Sequence, residues 1–173
     1  MNLEQLWAGW RSDYIVEATA RERAGTAPDD VEHCVFCRIA ATGSPSVDNL
    51  VVWRGASSFV VLNAYPYGSG HVLVLPLRHV AGLDDLTDLE SAELWEATRR
   101  AVTAIEKAYG PDGMNIGANL GRAGGAGIPA HVHMHVLPRW SGDTNFMTAV
   151  AGARVMPETL DVSWKRLNDA WPN

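Results

Sequence analysis

Ala130-His131-Val132-His133-Met134-His135-Val136-Leu137-Pro138 sets a histidine at every second position, with apolar residues between. A β-strand alternates its side chains between two faces at about 3.3 Å per residue. This spacing therefore predicts a strand with His131, His133 and His135 on one face, about 6.6 Å apart, and Val132, Met134 and Val136 on the core face. Imidazole changes charge near neutral pH, ligates metals and can act as a nucleophile, so three on one face point to an active site. A lone histidine in such a strand would more often be a satisfied structural residue. The other three of the chain's six histidines stand apart, as His33, His71 and His79.

Outward from this strand the pattern predicts an α+β domain. Gly121-Arg122-Ala123-Gly124-Gly125-Ala126-Gly127 joins it to a strand at Met114 to Leu120. Thr87-Asp88-Leu89-Glu90 has the form of a helix capping box. Leu94, Ala97, Ala101, Ala104 and Ala108 keep helical spacing as far as Gly110-Pro111, which predicts one helix of about five turns. Leu50 to Trp53, Phe59 to Leu62 and His71 to Leu75 read as an antiparallel meander broken at Gly55-Ala56-Ser57 and Pro66-Tyr67-Gly68-Ser69-Gly70. The expected fold is an antiparallel sheet of about five strands with the long helix on one face and short terminal helices. Its expected divisions are an N-terminal arm over residues 1–30, a domain over 31–147 and a helical tail over 148–173. Leu6, Trp7, Trp10, Tyr14 and Ile15 suit a short helix in the arm; Trp164, Leu167 and Trp171 suit one in the tail.

With 173 residues, 47% hydrophobic content and no apolar run approaching about 18 residues, the chain reads as one soluble domain with a real core. Met1 to Trp7 lack the basic start and apolar centre of a signal peptide, and the expected location is cytoplasmic. A net charge of −6 lacks the basic footprint of a binder of long nucleic acid, whereas small nucleotides stay open through backbone donors. Both cysteines fall in Cys34-Val35-Phe36-Cys37, which in a reducing compartment suggests zinc or redox chemistry more than a disulfide. A structural zinc needs two further ligands; His79 and one member of the triplet are the natural candidates. The glycines of Ala123 to Gly127 let backbone N–H groups approach an anion, or simply make a hairpin loop.

Gly127-Ile128-Pro129-Ala130-His131-Val132-His133-Met134-His135-Val136-Leu137-Pro138-Arg139 resembles the signature of the histidine triad (HIT) family of nucleotide hydrolases and transferases. Leu62-Asn63, Pro66 and Gly70-His71-Val72-Leu73-Val74-Leu75-Pro76 resemble the family's upstream nucleotide-binding strands. Cys34-x-x-Cys37 sits where its zinc-containing members place their knuckle. The resemblance runs from about Cys34 to Phe146. Leu6 to Ile15, together with Asn119 to Met147, looks most like the bacterial diadenosine tetraphosphate phosphorylase branch.

The resemblance implies nucleotidyl transfer at an α-phosphorus, with His133 as the attacking histidine and a nucleotidyl-histidine intermediate released by phosphate or water. It implies that His135 contacts the phosphate or leaving group and that N–H groups near Ala126, Gly127 and Ile128 hold phosphate oxygens. It implies a structural zinc on Cys34, Cys37, His79 and His131, closed to water. Asn63 matches a family position near the nucleotide and Asn119 could donate to phosphate, each with an alternative as a turn or core residue. Trp140 could stack on a base or seal the core or a subunit interface. His71 could hydrogen-bond near the site or merely begin a strand, and His33 is exposed or a substitute ligand. One departure is Gly127-Ile128 where many members carry a Ser or Thr hydroxyl, which bears on how the acceptor is held. The implied substrate is a mononucleotide or dinucleoside polyphosphate, diadenosine tetraphosphate with phosphate as acceptor foremost, in a symmetric dimer with neither membrane nor long nucleic acid as partner. The rivals are a hydrolase of dinucleoside polyphosphates or nucleoside phosphoramidates that releases AMP, and a non-catalytic nucleotide- or zinc-binding module.

Overall fold

A computed structural model of the protein describes residues 31–143 and 157–172. The expected N-terminal arm and the first part of the expected tail lie outside them. In chain order the elements are α1 (Val35–Ala41), β1 (Val51–Arg54), β2 (Ser58–Leu62), β3 (Val72–Pro76), α2 (Asp88–Tyr109), β4 (Gly113–Ala118), β5 (Met134–Arg139) and α3 (Leu160–Ala170). The strands form one antiparallel sheet in the order β1-β2-β3-β5-β4, so the meander and the helix-linked pair meet where β5 inserts beside β3.

Strand alternation divides the core. On one face Val60, Leu62, Val72, Val74 and Val136 pack against Leu94, Ala97, Ala101, Ala104 and Ile105 of α2 and Leu167 of α3. On the other, Val51, Phe59, Val61, Leu73 and Leu75 pack against Cys34 and against Phe36 and Ala40 of α1, with Ile128 beside them. The small residues on α2 let the helix lie close to the sheet, and Leu167 is fully buried there. The structure thus adds α1, a helix that the cysteine spacing did not announce. Its N-cap, Cys34, makes no side-chain cap bond, and its first turn carries no acid.

The ends of α2 follow the sequence. Thr87 accepts from the Glu90 N–H, while Glu90 reaches back to the Thr87 N–H at 2.8 Å and also takes Arg78 at 2.7 Å. Gly110, at φ 54°, closes the helix in the left-handed conformation with its N–H on the Glu106 carbonyl. Glu93 then ties α2 to the β1–β2 turn by accepting from the backbone N–H groups of Ala56 (2.8 Å) and Ser57 (2.5 Å). A Cβ at Gly55 would collide with that carboxylate and with the Trp53 ring, so a side chain there would displace the Glu93 bonds that hold the turn. Among the described residues, no helix is long and apolar enough to cross a membrane.

Candidate active site

The sequence predicts all three triplet histidines on one strand, but only His135 lies in the ladder, opposite Leu73 of β3 and Gly117 of β4. His131 and His133 precede β5. The cause is local: the His131 N–H turns back to the Ile128 carbonyl, and the Val132 N–H is donated at 2.7 Å to Val80, in the segment between β3 and α2. The chain straightens only at Met134. His133 and His135 still share a face, with ring centroids 5.0 Å apart.

The early departure of His131 carries it to the cysteines. Its Nδ1 lies 3.5 Å from Cys34 Sγ and 3.6 Å from Cys37 Sγ, and His79 Nδ1 lies 3.3 Å from Cys37 Sγ. The four ligand atoms all fall within 4.8 Å of one another. Tetrahedral coordination with S and N ligands at about 2.3 and 2.05 Å requires S···N separations of about 3.6 Å, so the cluster has the dimensions of a metal centre. His131 Nε2 donates to the Pro76 carbonyl at 2.9 Å, which leaves Nδ1 as the lone-pair nitrogen facing the thiols. Burial pushes the His131 imidazole down to about 4, and it is therefore neutral. Burial, and Cys34 beside it, push the Cys37 thiol up to about 11, the direction expected of an uncompensated thiol pair in a closed pocket. His33 is exposed and lies outside the cluster.

His133 is buried, and its Nδ1 donates to the His131 carbonyl at 2.9 Å. Burial lowers its pKa, so at neutral pH the ring is uncharged and its lone pair sits on Nε2. The tautomer of His135 follows from two neighbours. His71 Nδ1 receives the Tyr67 backbone N–H at 3.1 Å and faces Asn63 Nδ2 at 3.3 Å, so it is an acceptor and the His71 proton lies on Nε2. That proton is donated at 3.0 Å to His135 Nδ1, which places the His135 proton on Nε2. His135 Nε2 is buried without a partner. Burial, and His133 nearby, push this ring down to about 4. The result is a neutral N–H donor on His135 beside a neutral, unprotonated ring nitrogen on His133.

Other expected residues fall in varied places. Asn63 accepts the Tyr65 N–H at 3.0 Å and stands behind His71. Asn119 braces the glycine loop through the Gly125 carbonyl at 3.5 Å. In that loop the Ala126 N–H is donated to Gly121 O at 3.2 Å, so Ala126 does not present its donor to a ligand. Gly125, at φ 89°, serves the turn itself, and a Cβ at Gly124 would strike the Leu120 carbonyl. Gly127 is exposed, and Ile128 packs on the core beside α1. Trp140 is not brought to the histidines: it meets Tyr109, the last residue of α2, edge to face at 6.3 Å. Alternation explains this, because Met134 and Val136 face α2 whereas His135 faces away. Phe36 of α1, which the sequence did not single out, lies against both His131 (5.6 Å) and His133 (5.1 Å). It bridges the cysteine helix and these two histidines.

A family model described as "HIT domain" matches residues 44–142. The AP-4-A phosphorylase of Mycobacterium tuberculosis is 39% identical over 98% of this chain and 85% of its own length. The bis(5'-nucleosyl)-tetraphosphatase [asymmetrical] of Schizosaccharomyces pombe is 38% identical over 56% of this chain and 53% of its own. Among solved structures, a Zn-bound histidine triad family protein from Mycobacterium smegmatis superposes with a TM-score of 0.65. It has 28% identity over 82% of this chain and 94% of that one. With its five-stranded antiparallel sheet, its paired histidines and these relatives, the chain belongs to the histidine triad (HIT) family.

Proposed function

We propose that this HIT enzyme cleaves dinucleoside polyphosphates by phosphorolysis, converting diadenosine tetraphosphate and phosphate to ADP and ATP. The observation that carries the reading is the protonation pattern at the histidine pair. The His131 carbonyl holds the proton of His133 on Nδ1, and His71 sets that of His135 on Nε2. His133 Nε2 attacks one α-phosphorus, the bridging P–O bond breaks, and its electrons leave with ATP. His135 Nε2–H donates a hydrogen bond to the oxygen that gains charge, and the N–H groups of Gly127 and Ile128 hold the non-bridging oxygens. The adenylylated imidazole keeps its Nδ1 proton and is cationic. The His131 carbonyl stabilises that cation, and the ring remains a good leaving group. Phosphate attacks the same phosphorus, the P–N bond breaks, ADP departs and His133 returns to its neutral form.

The full-length similarity to a protein named AP-4-A phosphorylase supports this choice of substrate and acceptor. A second reading, hydrolysis with AMP as product, is favoured by the tetraphosphatase relative and by the absence of a loop hydroxyl at Gly127-Ile128 to hold an incoming phosphate. Chromatography of products with and without phosphate tests the choice: ADP and ATP in equal amounts only when phosphate is present supports phosphorolysis, and AMP release without it supports hydrolysis. His133→Ala should abolish turnover while sparing nucleotide binding; unchanged turnover overturns the nucleophile.

The metal we assign to Cys34, Cys37, His79 and His131 is zinc. With four protein ligands it would keep no open position for water, and what it supplies is a fixed anchor for the segment entering β5. We place the enzyme in the cytoplasm as a symmetric dimer. The edge strand β4 and the neighbouring outer face of α2, with Trp95 and Ile116 exposed, support that interface.

A further inference from the structure

We propose that Tyr65 and Tyr67 form a stacking platform for the second nucleoside of the substrate, the one that leaves with the displaced polyphosphate. This rests on the reading of His133 and His135 given above and extends it to the far end of the substrate. Residues 63–71 join β2 to β3. Because Val72 pairs with Val136 and Leu73 with His135, this loop meets β5 at the end where His135, not His133, comes first. A Cβ at Gly68 would lie 3.7 Å from Leu137, which fixes the same end. A substrate held at its α-phosphorus by His133, with its leaving group toward His135, therefore runs on toward the tyrosines.

The two rings suit that task. Tyr67 stacks on His135, with centroids 6.0 Å apart and planes 13° off parallel, and it covers His71 at 4.7 Å. Tyr65 is 86% exposed, the most open of the large apolar residues on the described surface. The loop that carries them is rigid: Asn63 Oδ1 takes the Tyr65 N–H, His71 Nδ1 takes the Tyr67 N–H, and the His71 N–H returns to Gly68 O at 3.3 Å. Bracing of the backbone removes the loop's share of the ordering cost, so that stacking has only the tyrosine side chains left to fix. The bonds that brace it are those that set the proton on His135. A flat heteroaromatic base is the ligand class that such a surface takes, whatever its identity, since every base has a π-face.

Equilibrium titration tests this without relying on turnover. In a His133→Ala background, diadenosine tetraphosphate and adenosine 5'-tetraphosphate differ in the second nucleoside and in the ionisable terminal oxygen that its removal leaves, and the neutral Tyr65→Ala change acts on the first of these. Stacking of one base on an aromatic side chain corresponds to roughly fivefold to 150-fold in affinity. The first ligand should bind more tightly than the second by at least about fivefold. Tyr65→Ala should bring the two within about twofold by weakening only the diadenosine compound, and Tyr65→Phe should retain the difference. Equal weakening of both ligands, or no effect on either, overturns the platform. So does a change in oligomeric mass with the affinity ratio intact, since the ring would then be covered by a second copy. An at least fivefold preference that Tyr65→Ala removes, in a protein whose wild type releases neither ADP nor AMP, keeps the platform and rejects the reaction.

Discussion

His71→Ala is the perturbation whose consequence the structure specifies most closely. His71 is fully buried and reaches the histidine pair through His135. Without its Nε2–H, the buried His135 Nδ1 loses its donor, and the proton of His135 is no longer held on Nε2. An unsatisfied buried polar atom costs about 1–3 kcal/mol of stability. Loss of one oriented donor to the developing charge costs about 100- to 1,000-fold in kcat, or about 2.7–4 kcal/mol. KM for diadenosine tetraphosphate should change far less than kcat, because the donor acts on charge that develops in the transition state, whereas loss of the Tyr67 brace only loosens the loop. Asn63→Ala leaves the Tyr67 N–H to direct the same tautomer, and its loss in kcat should be about tenfold. Initial rates of ADP and ATP release, followed by chromatography, check both. A kcat within threefold of wild type in a folded His71→Ala protein refutes the donor chain.

Zinc should be present at about one ion per chain by elemental analysis. Cys37→Ser should lower both metal content and melting temperature, and a metal-free protein of unchanged stability contradicts the site. Because Cys37, pushed up to about 11, must lose its proton to ligate, zinc affinity should rise with pH across the neutral range, as competition titrations can show. Burial holds His135 near 4, so its neutral form dominates from pH 8 down to about 6. Below that, kcat should fall toward pH 4, where a protonated Nδ1 can no longer accept from His71; a rise in kcat below pH 6 contradicts this. Leu167→Ala, which opens a cavity between α3 and the sheet, should cost about 2–5 kcal/mol in denaturant unfolding.

Local signals carried most of the architecture. Thr87 and Glu90 mark the start of α2 by mutual capping, and Gly110 marks its end, because both devices work within a few residues. Apolar runs in β2 and β3 and alternation in β5 mark the sheet, and the alternation contains the reason Trp140 faces α2, since it shares parity with Met134 and Val136. α1 was harder to read: seven residues without a capping side chain give no terminus signal, and the cysteine spacing drew attention to metal instead. The start of β5 was misplaced because a bond to Val80, 52 positions earlier in the chain, decides it. The Ala126 donor was lost for a similar reason, since the loop spends it on its own turn. The donor types point from Cys34 and Cys37 to His79 and one member of the triplet, and only the family resemblance singles out His131; the spacing of their atoms needed the fold. The proton placement on His71 and His135 was illegible, because it depends on bonds that link residues 63, 67, 71 and 135.

The most direct test of phosphorolysis through His133 is the fate of isotopically labelled inorganic phosphate incubated with diadenosine tetraphosphate and the wild-type enzyme. Phosphate that attacks the adenylylated histidine becomes the β-phosphate of ADP, so label is expected in ADP, with none in ATP and little AMP. AMP as the main product with label left in free phosphate would contradict it.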